Sequence, residues 1–230
     1  MYRSRTRPQL AWALLAVSSA CAWPGSQPGD AASIAADHTL IVDYSQNCVR
    51  ELDDDGKEVS RLDEIHGAWD AERLDNGNTL LVEFSVSRVS EVDPRGEIVW
   101  SYEDLKNPYA ASRLPDGTTL IANTFGGEVR VVDAAGEVVW RYGGIRPFDV
   151  ERTSAGTYLI CDVLKDRVIE VNAAKEIVWQ VQGMPNAHDA DRLPNGNTIV
   201  AENTRVREFD RYGNEVWKKE MTWAVEVNRY

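Results

Sequence analysis

A unit of about 40 residues recurs along this chain from His38 to the C-terminus, and it limits the available folds more than any other feature. Its most regular marker is a turn that ends in Gly-x-Thr/Tyr-Leu/Ile. The glycines of four copies, spaced 40, 39 and 40 residues apart, are Gly77, Gly117, Gly156 and Gly196. A second turn of the form Asp-x-x-Gly alternates with the first and leads into a Glu-Ile/Val-Val-Trp segment, as at 137–140. Because a unit this short buries its apolar face only against its neighbours, the chain is predicted to be an array or ring of like units.

Each unit is predicted to contain four short antiparallel strands. Asn-Gly and Asp-Gly supply the positive φ that tight hairpin loops need, and the segments between turns are rich in β-branched residues, as at 88–93. No sustained helical apolar period occurs between His38 and Tyr230, so no helix is predicted there. Repeated four-stranded units indicate an all-β fold, a β-propeller. A tandem of separate hairpins is the alternative, and it would leave an apolar face of each hairpin uncovered.

The two ends of the repeat predict how the ring closes. The first copy begins at His38 with the second strand of a blade, and Trp223-Ala-Val-Glu-Val near the C-terminus aligns with first strands. We therefore predict that the C-terminal strand completes the N-terminal blade and removes an exposed edge. The result is a β-propeller of about five four-stranded blades over residues 38–230, with a degenerate six-bladed ring as the alternative.

Residues 1–20 have the order of a secretory signal peptide: three arginines, a short apolar run, then small residues. Ser18-Ser-Ala-Cys21 resembles a bacterial lipobox, although Ser18 stands where leucine is usual. The sequence therefore leaves a lipid-anchored Cys21 and a soluble exported form both open. Residues 21–37 are predicted to be a flexible tether. We expect the protein in the periplasm or on the cell surface, with the membrane contacted only through the lipid anchor.

The charge of the chain bears on its binding partners, and the positions of its cysteines bear on disulfide formation. Removal of residues 1–20, which hold three arginines and no other charged residue, moves the formal charge from −12 to −15. So acidic a chain is unsuited to nucleic acid or to anionic lipid. Cys48 and Cys161 fall in different blades of the alignment, so no disulfide is predicted, and Cys161 is expected in the core. We expect a monomer.

Three sets of equivalent positions are predicted to form rings around the central channel. The first lies at the face where the first strands begin, which we call the top face, and is predicted to bind a ligand; it contains Trp69, Tyr109, Phe148, His188 and Trp223. The alternative is that these side chains only seal the seams between blades.

The second set lies at the top end of the second strands and would make the top face acidic. Four carboxylates and an amide at one repeat position suit a hard cation, so Ca²⁺ is predicted as a ligand; the alternative is that each side chain caps its own turn. These residues are Asp43, Glu83, Asn123, Asp162 and Glu202.

The third set consists of arginines just before the first turn, and it is predicted to be structural through pairing with the Asp-x-x-Gly aspartates. These arginines are Arg73, Arg113, Arg152 and Arg192. The tryptophans of the outermost strands are predicted to fill the seams between blades; they are Trp100, Trp140, Trp179 and Trp217.

The combination of D-A-x-R-L-P-N-G-N-T with E-V-D-x-x-G-E-I-V-W resembles the repeats of bacterial arylsulfate sulfotransferase-like propellers and, more loosely, those of PQQ-like and NHL propellers. The resemblance covers nearly all of 38–230 and implies the fold. In the sulfotransferase family, histidines and an arginine at the channel mouth carry out the transfer of a sulfuryl group. By that resemblance His188 is the candidate nucleophile, and His66, three residues before Trp69, or a carboxylate is the candidate general acid–base. The top-face loops supply Lys106, Arg146 and Lys165 as cations, and the sequence shows no cationic cluster for PQQ.

Two functions from different classes follow. The first is an exported, non-catalytic binding module whose acidic, aromatic-rimmed top face binds a small aromatic ligand or an envelope protein, with Arg146 among the binding residues. The alternative is a minimal arylsulfotransferase that acts through His188. The shortage of cations at the channel mouth favours the first, because a transferring sulfuryl group needs positive donors.

Overall fold

The computed structural model describes residues 38–227. The predicted signal peptide, lipobox and tether at 1–37 lie outside the described residues. The described part of the chain contains no helix that is long and apolar enough to cross a membrane.

The described chain consists of five antiparallel sheets with sequential strand order. The first blade contains β1 (Thr39–Asp43), β2 (Cys48–Leu52) and β3 (Glu58–Leu62). The second contains β4 (Ala68–Arg73), β5 (Thr79–Glu83), β6 (Arg88–Val92) and β7 (Ile98–Tyr102), with a 3-10 turn at Phe84–Val86. The third contains β8 (Ala110–Arg113), β9 (Thr119–Asn123), β10 (Glu128–Val132) and β11 (Val138–Gly143). The fourth contains β12 (Pro147–Arg152), β13 (Tyr158–Asp162), β14 (Arg167–Val171) and β15 (Ile177–Gln182). The fifth contains β16 (Ala187–Arg192), β17 (Thr198–Glu202), β18 (Arg205–Phe209) and β19 (Glu215–Glu220).

This architecture confirms the predicted five-bladed β-propeller. The repeated turns set the hairpins as predicted. At the first turn of the second blade, the Gly77 N–H donates to the Leu74 carbonyl at 2.9 Å and Gly77 has φ of 83°. Glycine adopts this backbone conformation readily because it has no Cβ that would clash with the following carbonyl.

The apolar core lies between neighbouring blades. Each of four buried clusters draws on two adjacent sheets. In the cluster between the fourth and fifth blades, for example, Leu159 and Cys161 pack with Val200 and Phe209. Cys161 is completely buried, as predicted, and both Cys48 and Cys161 are free thiols. Because a blade alone leaves its faces uncovered, the burial of this apolar surface requires the ring.

The closing segment at 221–227 is less regular than predicted. Strand pairing in the first sheet covers β1–β3, and 221–227 forms no ladder with β1. The segment is anchored to the fifth blade instead: Ala224 donates its N–H to the Asn203 carbonyl at 3.2 Å, and Ala224 and Val227 pack in the apolar cluster of that blade. The Val227 N–H donates to Asp189 of the fifth blade at 2.6 Å. The Ala111 N–H of the third blade donates in the same way to Asp70 of the second blade at 3.4 Å. The segment therefore lies where the inner strand of the next blade is expected.

Candidate functional site

Three of the residues predicted at the top of the inner strands, Trp69, Phe148 and His188, lie at irregularities in the β-ladder. Ala68 pairs with Glu83 and Asp70 with Val82, so Trp69 is left out of the register. His188 is left out in the same way between β16 and β17. A bulge of this kind turns the extra residue out of the ladder and re-aims its side chain. The side chains of the five predicted residues are half-buried, except for Trp223, which is more exposed.

The structure brings the five predicted rings into one chain of contacts. The centroid of Trp69 lies 4.6 Å from that of Tyr109 in a stacked geometry, and Tyr109 lies 4.7 Å from Phe148. Phe148 lies 5.2 Å from His188, which lies 6.3 Å from Trp223. These separations are typical of attractive aromatic pairs. The five rings therefore form one continuous series of contacts across the blades.

Three further rings from the top-face loops extend this surface, and the sequence analysis missed them. Tyr44 contacts Trp69 at 5.7 Å, Phe84 contacts both Trp69 and Tyr109, and Phe125 contacts Tyr109 at 6.2 Å. We call this network of eight rings the aromatic face. The three most exposed rings are Tyr44 at 40%, Phe125 at 49% and Trp223 at 60% of their reference areas. Their signal was an aromatic residue just after the top end of the second strand, directly after it at Tyr44 and Phe84 and two residues after it at Phe125.

His188 is held in one orientation by the fifth blade. Its Nε2 lies 2.5 Å from Oδ1 of Asn203, an acceptor, and this contact favours the tautomer that has its proton on Nε2. Burial lowers the pKa of His188 below its ordinary value, while the bond to Asn203 opposes that shift. The imidazole is therefore neutral at neutral pH.

The other predicted site residues of the top face lie apart from His188. His66 is exposed, and no hydrogen bond, ion pair or ring contact within 38–227 joins it to His188. Arg146 is exposed and lies over the Phe125 ring, with its guanidinium carbon 5.5 Å from the ring centroid. The structure thus places Arg146 at the edge of the aromatic face, on the side of the third and fourth blades.

The four carboxylates predicted as calcium ligands do not converge. Each contacts an arginine of its own blade: Asp43 with Arg50 at 3.4 Å, Glu83 with Arg88 at 2.6 Å, Asp162 with Arg167 at 2.9 Å, and Glu202 with Arg205 at 3.1 Å and Arg207 at 2.5 Å. Glu83, Asp162 and Glu202 are buried, and their partners neutralise them. Within the described residues no group of three or more His, Cys, Asp or Glu side chains is arranged to hold a metal ion.

The predicted pairing between the arginines and the Asp-x-x-Gly aspartates was wrong. Each such aspartate instead accepts backbone N–H groups of its own turn, as Asp133 does from Ala135 and Glu137. Three of the four arginines reach a glutamate of the preceding blade: Arg73 contacts Glu51 at 2.5 Å, Arg113 contacts Glu91 at 2.8 Å, and Arg192 contacts Glu170. Arg152 instead lies over the Tyr158 ring of its own blade, 4.5 Å from the ring centroid. A turn aspartate satisfies its lone pairs locally, which leaves the longer arginine side chain to bridge the seam.

A set of carboxylates on the inner strands, just below the aromatic face, was not predicted. They recur two residues apart in the segments Asp-Ala-Glu-Arg, Asp-Val-Glu-Arg and Asp-Ala-Asp-Arg, a regularity visible in the sequence. They are Asp70, Glu72, Asp149, Glu151, Asp189 and Asp191. Several accept a backbone N–H from the next inner strand, as Glu72 does from Arg113 at 2.9 Å and Glu151 from Arg192 at 3.0 Å. These bonds join inner strands that are too far apart for a ladder.

The environment of these carboxylates raises their pKa values. Burial raises the pKa of Asp70 and that of Asp191 to about 6, and that of Glu151 to about 7. Burial together with neighbouring carboxylates raises the pKa values of Asp149 and Asp189 well above the ordinary range. The channel beneath the aromatic face therefore holds fewer negative charges near neutral pH than its composition suggests.

Comparison with known proteins supports the fold and no closer relationship. The chain is similar to a Bacteroides caccae protein of unknown function, with a TM-score of 0.66 at 17% identity over 82% of this chain and 81% of that one. It is similar to virginiamycin B lyase from Staphylococcus aureus, with a TM-score of 0.65 at 12% identity over 81% and 67% of the two chains. It is also similar to the Neurospora crassa Pan2 WD40 domain, with a TM-score of 0.64 at 15% identity over 82% and 64%. No protein-family model matches the sequence, and no curated protein matches it. The class of the protein is therefore the β-propeller, and membership of the arylsulfate sulfotransferase-like family is not shown.

Proposed function

We propose that this protein is a binding module whose aromatic face holds an aromatic ligand or an aromatic side chain of a partner. The observation that carries the proposal is the continuity of the eight rings, three of them well exposed at one end of the propeller. An exposed apolar surface of this kind is typical of binding sites, because it gains free energy when a ligand covers it. The top-face carboxylates paired with arginines add no negative field to it, so the predicted acidic character of the face is not part of the proposal.

An uncharged probe tests this function without testing any charge preference. Naphthalenemethanol is titrated into the folded protein and its ring protons are followed by saturation-transfer NMR. We expect saturable binding that Phe125→Ala weakens about fivefold, the value of one aromatic contact of roughly 1 kcal/mol. The matched control is Val139→Ala, which shortens a side chain that is 57% exposed on an outer strand. Absence of saturable binding, or equal effects of the two variants, would contradict the proposal.

A second candidate function is sulfuryl transfer, and the neutral, oriented imidazole of His188 favours it. A nucleophilic histidine needs a free lone pair, and the tautomer that donates from Nε2 to Asn203 has one on Nδ1. The protein would be incubated with an aryl sulfate and a phenol acceptor, beside His188→Ala. Transfer that disappears in the variant supports the enzyme; no transfer at high protein concentration counts against it.

We also propose that the propeller works outside the cytoplasm, on the support of the signal-peptide-like order of residues 1–20. The intact mass of protein extracted from membranes distinguishes the two forms that the sequence leaves open. A diacylglyceryl addition at Cys21 identifies a lipoprotein, and cleavage without addition identifies a soluble exported form. An uncleaved N-terminus would contradict export.

A further inference from the structure

Arg146 differs from the other arginines of the top-face loops and strand ends in its surroundings. Arg50, Arg88, Arg167 and Arg205 each form an ion pair with a carboxylate of their own blade. Arg146 forms no ion pair within residues 38–227; its guanidinium lies instead over the exposed ring of Phe125. In a chain with a formal charge of −12, a cation that is not neutralised and that borders an apolar surface is well placed to contact an anion from outside the protein.

The backbone around Arg146 is fixed, so its side chain projects from a defined point. The Arg146 N–H donates to Oδ1 of Asp162 at 3.0 Å, and its carbonyl accepts the Val163 N–H at 3.1 Å. Asp162 is completely buried, and its other carboxylate oxygen is bonded to Arg167 at 2.9 Å. Asp162 therefore orders the Arg146 backbone without taking up the charge of its guanidinium.

The rings beside Arg146 are accessible to a ligand from outside the protein. Phe125 is half exposed, and Tyr109 lies between Phe125 and Phe148. A second cation belongs to the same corner: the loop of Lys106 borders Phe125, whose N–H donates to the Lys106 carbonyl at 3.1 Å. The apolar faces of these rings and the guanidinium of Arg146 therefore lie side by side on the third and fourth blades.

We propose that this corner binds a planar aromatic carboxylate, with the ligand ring against Tyr109 and Phe125 and its carboxylate on the guanidinium of Arg146. A guanidinium offers two parallel N–H donors that match the two oxygens of a carboxylate. Arginine also stacks well on aromatic planes, so a guanidinium that rests on Phe125 is already close to the bound orientation. This inference rests on the proposed binding function of the aromatic face and adds the charge and shape of the ligand.

Three probes with one ring system test the charge preference: naphthoate, naphthalenemethanol and naphthylmethylammonium. Their dissociation constants are measured at neutral pH on the folded protein by ligand-observed NMR. We expect naphthoate to bind about fivefold more tightly than the uncharged alcohol, the value of one exposed charge pair of about 1 kcal/mol, and the ammonium probe to bind more weakly than either. Because the interaction is exposed, the preference should shrink at high salt.

Arg146→Gln is expected to remove the preference, so that naphthoate and naphthalenemethanol bind the variant with about equal affinity. Arg146→Lys should retain only part of the preference, since an ammonium keeps the charge but lacks the two parallel N–H donors of a guanidinium. The matched control is Arg141→Gln, which removes the same charge from an exposed position on the outer strand β11. Equal affinities for naphthoate and the alcohol, or equal effects of Arg146→Gln and Arg141→Gln, would overturn this inference while the binding function stands. Failure of all three probes would instead sink the binding function itself.

Discussion

Lys175 occupies a backbone position that the other blades give to glycine. Its φ is 69°, and the equivalent residues Gly56, Gly96, Gly136 and Gly213 have φ between 75° and 88°. A side chain in this left-handed conformation brings Cβ close to the following carbonyl, at a cost of roughly 1 kcal/mol. The repeat alignment alone identifies the exception, and the structure shows that the turn keeps the same conformation in spite of it.

Lys175→Gly should therefore stabilise the protein. We expect the free energy of unfolding to rise by about 1 kcal/mol and the melting temperature by about 2–4 °C. Lys175 is exposed and the turn hydrogen bond from its N–H to Asn172 is kept, so few contacts are lost. Calorimetry checks the expectation, with Gly136→Lys as the reverse substitution that should destabilise. A lower melting temperature for Lys175→Gly would show that its side chain makes a contact worth more than the backbone strain.

At the scale of elements, the seams between blades are joined by side chains more than by backbone. Arg113 of the third blade contacts Glu91 of the second at 2.8 Å and lies over the Trp100 ring at 5.2 Å. Trp100 in turn donates its Nε1–H to the Ala134 carbonyl of the third blade at 3.2 Å. The predicted seam role of the outer tryptophans agrees with this contact. At the equivalent seam of the fourth blade, Arg192 lies over Trp179 at 4.9 Å.

Removal of one seam arginine should cost far more than removal of a surface arginine. Arg113→Gln leaves Glu91, which is buried, without its cation, and we expect a loss of about 2 kcal/mol in the free energy of unfolding. Arg95→Gln breaks an ion pair whose arginine side chain is 81% exposed, so its effect should be close to zero. Urea denaturation of both variants measures the difference. Equal losses would mean that the Arg113–Glu91 contact contributes no more than a surface pair.

The C-terminal segment shows where matching of repeats stops being informative. Alignment placed Trp223–Val227 at an inner-strand position, and the contacts of Ala224 and Val227 with the fifth blade agree with that place. The expected ladder with β1 is not formed within the described residues. Register with a partner strand depends on backbone geometry that an alignment of side-chain types does not contain.

At the scale of the whole molecule, the ring gathers carboxylates that are distant in the chain. Closure of the ring also removes these carboxylates from water, and burial alone raises the pKa of Asp191 to about 6. A carboxyl whose pKa is higher in the folded than in the unfolded protein binds its proton more tightly when folded. Its contribution to stability is therefore fully present below the unfolded pKa near 4, and it is lost as the pH rises through about 6.

Asp191→Asn should thus stabilise the protein at alkaline pH and have little effect at acidic pH. We expect a gain of about 2 kcal/mol in the free energy of unfolding near pH 8, because the variant has no buried charge at this position and lowers repulsion on Asp149 and Asp189. Denaturation at a series of pH values gives the difference between variant and wild type. The control is Asp116→Asn in an exposed turn, where bonds from Thr118 lower the pKa and the substitution should cost stability at alkaline pH. A difference that does not change with pH would contradict the raised pKa of Asp191.

The sequence by itself determined the repeat, the turns and the positions that face the channel. These features are local, because glycine at positive φ and alternation along a strand follow from the chemistry of neighbouring residues. It therefore predicted five blades and the five inner rings, among them His188. It did not determine the partners of the charged side chains: Asp43, Glu83, Asp162 and Glu202 appeared as one cation site, and each is paired with arginine.

Only the tertiary structure decided which side chains meet across the ring. It joined Phe125 to Tyr109, left Arg146 at the edge of the aromatic face without an ion pair to any residue of 38–227, and placed the inner carboxylates beneath that face. The physical reason is that desolvation and charge pairing depend on distances between residues about 40 positions apart, and closure of the ring sets those distances. The blade structure of the propeller could thus be predicted from local sequence, whereas the contacts and charges of its top face depend on how the blades pack in the ring.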